Sequence, residues 1–236
     1  MATAPRGLRA FCTPAAAKDD AAAFGVPRAL PRAAIAANSA VATLVHESRG
    51  VPGFALVRDV ISLAREEELL RVIGSQTWDG TSLKRRVQHY GFQYDYSARR
   101  PPTPLQALPR WATELYDDVV DAGAGAPSVP NQVIVNEYAA GQGIGAHTDH
   151  EAFFGDTIVA VSLGSPTALV LRPKRGGGGG GGGVTVLVPR RSAYRLQGAA
   201  RYEWTHEIPA RASDVWPGVG TARRGTRVSV TFRTVQ

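Results

Sequence analysis

The stretch 131-NQVIVNEY-138 decides the fold, because here the hydropathy pattern changes to a period of two and keeps it to the C-terminus. Ile134, Asn136 and Tyr138 share one face. The segments DTIVAVSLG, TALVLRP, VTVLVP, SAYRLQG, EWTHEIP and RVSVTFR repeat the pattern, each short, alternating and closed off by Gly, Pro or Asn. Such spacing predicts a mostly antiparallel sandwich or barrel. Between two of these strands stand eight glycines, Gly176 to Gly183, flanked by Lys174 and Arg175. A run with no side chains to pack reads as a flexible hairpin insertion, and no Gly-Lys-Ser/Thr follows it to make a phosphate loop.

Upstream the pattern differs. The run 54-FALV-57 predicts a strand, and Ser62 is a suitable N-cap for a helix with Glu66 to Glu68 in its early turns and Leu63, Leu70 and Ile73 at helical spacing. A second amphipathic helix is predicted from about Pro109 to Asp121, with Trp111, Leu115, Tyr116 and Val119 on one face. Between the two lies the basic, aromatic segment 84-KRRVQHYGFQYDYSARR-100, ended by the break 101-PPTP-104. The fold class is therefore mostly β with flanking α, the helices preceding the sheet, over residues 51–236.

Residues 1–50, rich in Ala, Pro and Arg with few acids, are expected to be a disordered tail. Its first seventeen residues hold Arg6 and Arg9 and no acid, which suits an organellar transit peptide or an untargeted tail of biased composition. The single cysteine, Cys12, excludes an intramolecular disulfide and a zinc site of paired cysteines. No apolar run is long enough for a membrane helix. An intracellular protein in the cytoplasm or nucleus is expected, unless the tail directs it to an organelle. The formal net charge of +7 favours polyanionic partners, although Arg-rich coding bias would produce the same balance.

The stretch 145-GAHTDHEAFFGD-156 holds three of the candidate metal ligands in a chain with five histidines. Strand alternation puts His147 and Asp149 on one face and His150 on the other. A lone His-x-Asp also suits a solvated turn. His206, in 203-EWTHEIP-209, sits on a later strand that could meet the first two, and two histidines with one carboxylate make the facial triad of non-heme iron oxygenases. In 227-RVSVTFR-233, Arg227, Ser229, Thr231 and Arg233 share a face opposite Val228, Val230 and Phe232. Two inward arginines would be costly to bury without anions, and a dicarboxylate would match their guanidinium forks. Solvated arginines on an edge strand are the alternative.

The ordered set NEYAAGQGIGAHTD, SLGS, WTHEIP and RVSVTFR resembles the AlkB family of Fe(II)- and 2-oxoglutarate-dependent dioxygenases, over about residues 52–236. The resemblance implies a double-stranded β-helix (jelly-roll) core with Fe(II), 2-oxoglutarate and O2 as its chemistry. It implies that His147, Asp149 and His206 ligate the iron, that Arg227 pairs with the distal carboxylate of 2-oxoglutarate and that Arg233 lies near its keto acid end. Asn136 and Tyr138 match the family's co-substrate hydrogen-bonding pair. Within the family, 84-KRRVQHYGFQYDY-96 is most similar to the branch containing tRNA wobble-uridine hydroxylases, some of which carry RNA-recognition and methyltransferase domains for which this sequence has no room.

The expected substrate is a nucleic acid base, in RNA such as tRNA ahead of DNA. It would be either a modified wobble uridine that is hydroxylated or an N-alkylated base that is demethylated with loss of formaldehyde. Tyr90, Phe92, Tyr94 and Tyr96 alternate after Lys84, Arg85 and Arg86, so aromatics could stack a base while the cations hold phosphates. An aromatic stripe of this period is equally core. A protein side chain as substrate, or a non-catalytic RNA-binding protein on the same fold, are the other readings, and a monomer is expected.

Overall fold

All seven period-two segments form strands. The computed structural model describes residues 50–79, 85–95, 100–174, 182–216 and 220–236; the tail up to residue 49, Lys84, Tyr96 and the glycines 176–181 lie outside them. In chain order the elements are β1 (Phe54–Val57), α1 (Leu63–Gly74), β2 (Arg86–Tyr90), β3 (Phe92–Gln93), β4 (Thr103–Pro104) and α2 (Arg110–Asp121). There follow β5 (Gln132–Tyr138), β6 (Ile144–His147), β7 (Thr157–Gly164), β8 (Thr167–Pro173), β9 (Val184–Val188) and β10 (Ser192–Gln197). The chain closes with α3 (Ala199–Tyr202), β11 (Trp204–Ile208), β12 (Ser213–Trp216), β13 (Gly220–Arg223) and β14 (Arg227–Arg233).

Six strands in the order β1-β10-β7-β14-β5-β2 make the larger sheet and β6-β11-β8-β9 the smaller, with antiparallel pairing throughout. The period of two sorts side chains into two cores. From β7, Val159, Val161 and Leu163 join Leu69 and Ile73 of α1 and Leu115 and Val119 of α2. Its alternate residues Ile158 and Ala160 join Leu169, Leu171 and Val186 of the smaller sheet. The larger sheet is thus covered by helices on one face and by the second sheet on the other, which is why β7 is buried nearly end to end. Of the described residues, no helix is long and apolar enough to cross a membrane.

Helix α1 starts as its sequence predicts: the Ser62 hydroxyl accepts the Arg65 N–H at 3.1 Å. Its buried face is rotated from the expected one. Leu63 is 49% exposed, and Glu66 takes the core position in line with Leu69 and Ile73. A buried carboxylate is tolerated only with partners, and Glu66 has two, the Gly164 N–H at 2.8 Å and the Arg190 guanidinium at 2.5 Å. Both partners are distant in sequence, so hydropathy alone could not place Glu66 inside.

Candidate active site

Strands β6 and β11 are neighbours, and their register sets His206 directly opposite His147. The ring centroids are 4.2 Å apart. β6 ends at His147, so the strand alternation invoked for Asp149 does not reach it: Asp149 stands in the loop beyond the strand. Loop conformation rather than the pleat brings it in, and the ligand-capable atoms of His147, Asp149 and His206 all lie within 4.8 Å of one another. Nδ1 of His147 is 2.8 Å from the Gly145 carbonyl, which can only accept, so this nitrogen carries the proton and Nε2 is left as a donor to a metal. His150 is outside the cluster and stacks on Phe153 at 3.9 Å.

The charge states of Asp149 and His206 suit a cation. Burial by itself would raise the Asp149 carboxyl, but the groups around it, Arg233 foremost and then His206, His147 and Arg201, outweigh burial and bring it down to about 2. His206 is pushed down to about 4, first by burial and then by His147 beside it, so its imidazole is neutral near pH 7. A carboxylate and a neutral imidazole, with His147 beside them, fit a divalent iron, since both ligand types must be deprotonated to bind it.

The cavity holding the triad runs between the two sheets, and Ser229, Thr231 and Arg233 of β14 line it with Asn136 and Tyr138 of β5. Both arginines of β14 are buried, Arg227 at 3% and Arg233 at 5% exposure. Arg233 places Nη1 3.5 Å from the Asp149 carboxylate and its guanidinium 4.4 Å from the Phe154 ring centre. Arg227 donates to the Ser162 hydroxyl at 2.9 Å and lies 5.6 Å from the Tyr138 ring centre. It borders a smaller recess next to the triad's cavity, with Tyr138 and Ile208 lining both. Among the described residues each arginine retains a buried N–H without an acceptor, Nη1 of Arg227 and Nε of Arg233. An unsatisfied buried donor costs about 1–3 kcal/mol, a cost that an anion in the cavity would remove. Ser162 opens the SLGS motif, which by itself assigns it no role; the register Ser229↔Ser162 between β14 and β7 sets it beside Arg227.

The front segment departs from its reading. Gly91, at φ +74, separates β2 from β3, and a Cβ there would stand 1.9 Å from the Asn131 carbonyl oxygen. The aromatic stripe is broken at that point. Tyr90 packs edge-on against Trp111 at 5.4 Å in the helix-side core, whereas Tyr94 meets Phe154 at 5.3 Å in the core between the sheets. Phe92 is half-buried in β3. Arg86 pairs with Glu137 at 2.6 Å and covers the Trp78 ring. Arg85, expected at a phosphate, reaches the triad's cavity instead and donates to the Asn136 side-chain oxygen at 2.8 Å.

Residues 65–233 match the model of the 2OG-Fe(II) oxygenase superfamily. The chain is 35% identical over 206 residues to the Xenopus tropicalis protein named tRNA (carboxymethyluridine(34)-5-O)-methyltransferase alkbh8, covering 78% of this chain and 32% of that one. It is 30% identical over 208 residues to the Danio rerio probable RNA/DNA demethylase ALKBH6, covering 78% of this chain and 86% of that one. The chain therefore spans about a third of the frog relative's length and most of the fish relative's. In fold it is similar to OsALKBH1, with a TM-score of 0.59 and 16% identity over 78% of this chain and 97% of that one. The matched span contains the His147, Asp149 and His206 cluster and all of β14, and the chain belongs to the 2OG-Fe(II) oxygenase superfamily, among the AlkB homologues.

Proposed function

We propose that this chain is a dioxygenase that oxidises a C–H bond on a nucleic acid base. Its superfamily implies Fe(II), 2-oxoglutarate and O2. The observation that carries the reading is a three-ligand cluster beside two buried guanidinium N–H groups that have no acceptor among the described residues. His147, Asp149 and His206 would hold the iron. Arg227 would take the distal carboxylate of 2-oxoglutarate and Arg233 the keto acid end, close to Asp149. Because Arg85 occupies the Asn136 oxygen, it is the Asn136 amide NH2 that would donate to the co-substrate, with Tyr138 beside it. When iron and co-substrate are bound, 2-oxoglutarate and O2 yield succinate and CO2 with one oxygen atom inserted into the substrate C–H bond. The protein contributes coordination, orientation and a cavity closed between two sheets.

For the substrate, the names of the relatives support RNA, with tRNA ahead of DNA, and leave two outcomes, hydroxylation of a wobble uridine or loss of an N-methyl as formaldehyde. A second reading, the same chemistry on a protein side chain, is favoured by Tyr90 and Tyr94, which pack in the two cores rather than standing together to stack a base. The test is succinate release from 2-oxoglutarate with Fe(II), compared between the parent and His147→Ala, in the presence of tRNA, methylated RNA and DNA oligomers, or peptides. Nucleoside mass spectrometry then reads the product. Turnover that survives His147→Ala sinks the enzyme reading, and turnover stimulated by peptides alone moves the substrate to protein.

A further inference from the structure

Asp149 lies outside any strand, so no hydrogen-bond ladder holds its backbone. Its position is held instead from α3, the single helical turn between β10 and β11. Arg201 on that turn is 2% exposed and among the largest fully buried side chains. Its guanidinium donates from Nη1 to the Asp149 carbonyl at 2.9 Å, from Nη2 to the carbonyls of His150 at 3.2 Å and Phe154 at 3.3 Å, and from Nε to that of Gly155 at 3.4 Å. All four acceptors are main-chain carbonyls of one loop. A buried cation is tolerated only when its donors are satisfied, and here the whole fork is spent on the 149–155 segment.

The loop is closed on itself and on its surroundings at the same points. The Phe154 N–H donates to the His150 carbonyl that Arg201 also grips, and the Gly155 N–H donates to the Thr234 carbonyl just after β14. Phe154 lies under the Arg233 guanidinium, and Tyr202, next to Arg201, donates its hydroxyl to Asp156 at 2.5 Å. β11 begins at Trp204, immediately after this turn, and carries His206. One turn therefore governs the approach of two of the three cluster residues.

We propose that Arg201 is a positioning residue for the metal centre: its buried fork locks the 149–155 loop in the conformation that presents the Asp149 carboxylate to His147 and His206. The loop is then ordered before the metal arrives, and binding does not have to order it. This rests on the reading of Asp149 as a metal ligand. A lysine cannot replace it fully, because one ammonium cannot span carbonyls at both ends of the loop.

The test is Mn(II) titration of the metal-free full chain, with folding followed by near-UV circular dichroism, for the parent, Arg201→Gln, Arg201→Lys and Val119→Ala. The last trims a buried residue of α2 in the helix-side core, to which no residue of the 149–155 loop belongs. Expected is a loss of Mn(II) affinity of about 10- to 100-fold in Arg201→Gln, a smaller loss in Arg201→Lys, and parental affinity in Val119→Ala despite its lower melting temperature. Parental affinity in either Arg201 variant overturns the proposal, as does an equal loss in Val119→Ala, which would mark the effect as general destabilisation. If neither Arg201 variant folds, hydrogen exchange on the metal-free parent decides: slow exchange at the Phe154 and Gly155 amides supports a preset loop, and exchange at open-chain rates overturns it. A parent that binds no Mn(II) overturns the metal-centre reading and this proposal with it, whereas normal parental binding with unaltered variants overturns the proposal alone.

Discussion

On its outward face β14 packs Val228, Val230 and Phe232 against the helices, with Phe232 5.1 Å from the Tyr116 ring; on its inward face it carries Arg227, Ser229, Thr231 and Arg233. Both faces are largely removed from water. The outward side chains are complete when packed, because hydrocarbon needs only contact. The inward arginines are buried yet incomplete, since Nη1 of Arg227 and Nε of Arg233 have no acceptor among the described residues. The difference teaches where to look for a ligand: a face that is buried and still short of acceptors is organised for something that is not part of the chain.

The comparison can be broken or sharpened by substitution. The largest effect is expected at the inward end of the site. Asp149→Ala should lower succinate release by at least about 1000-fold, roughly 4 kcal/mol, while circular dichroism stays native. On the outward face, Phe232→Ala should cost about 3–5 kcal/mol of stability in urea denaturation and leave the KM for 2-oxoglutarate unchanged. A raised KM there would mean the two faces are not independent. Arg227→Ala should do the reverse, raising that KM by about 10- to 100-fold with little loss of stability, because it removes a charged hydrogen-bond donor to the co-substrate. An unchanged KM would take Arg227 out of the site.

The smallest effect is in pH. His206 titrates at about 4 in the folded metal-free chain against 6.5 ordinarily, so between these values the unfolded chain binds the extra proton. Stability of the metal-free protein should therefore fall as pH drops from 6.5 towards 4. Asp149, lowered from 3.8 to about 2, adds a loss of the same sign at still lower pH. Melting temperatures across the first window should show a flatter slope in His206→Gln; an unchanged slope would assign the loss to other groups.

Alternation in 227-RVSVTFR-233 was enough to separate the two faces of β14, because the strand runs unbroken through all seven residues. The same rule failed in two places where the strand stops. At Gly91 it scattered Tyr90 and Tyr94 into different cores, and past His147 it had no bearing on Asp149. The pairing of His147 with His206 was legible as a possibility and became a register only when β6 met β11.

What the sequence determined by itself were β1, the seven strands of the period-two segments, the helices α1 and α2, and the chemical types gathered for a metal and a dianion, since these follow from local period and residue chemistry. Only the tertiary structure decided that Glu66 is inside, that Arg85 turns to Asn136 and that Arg201 grips the loop of Asp149. Each of these is a charged group whose burial depends on partners far away in the chain, and the free energy of a charge is set by what surrounds it rather than by its neighbours in sequence.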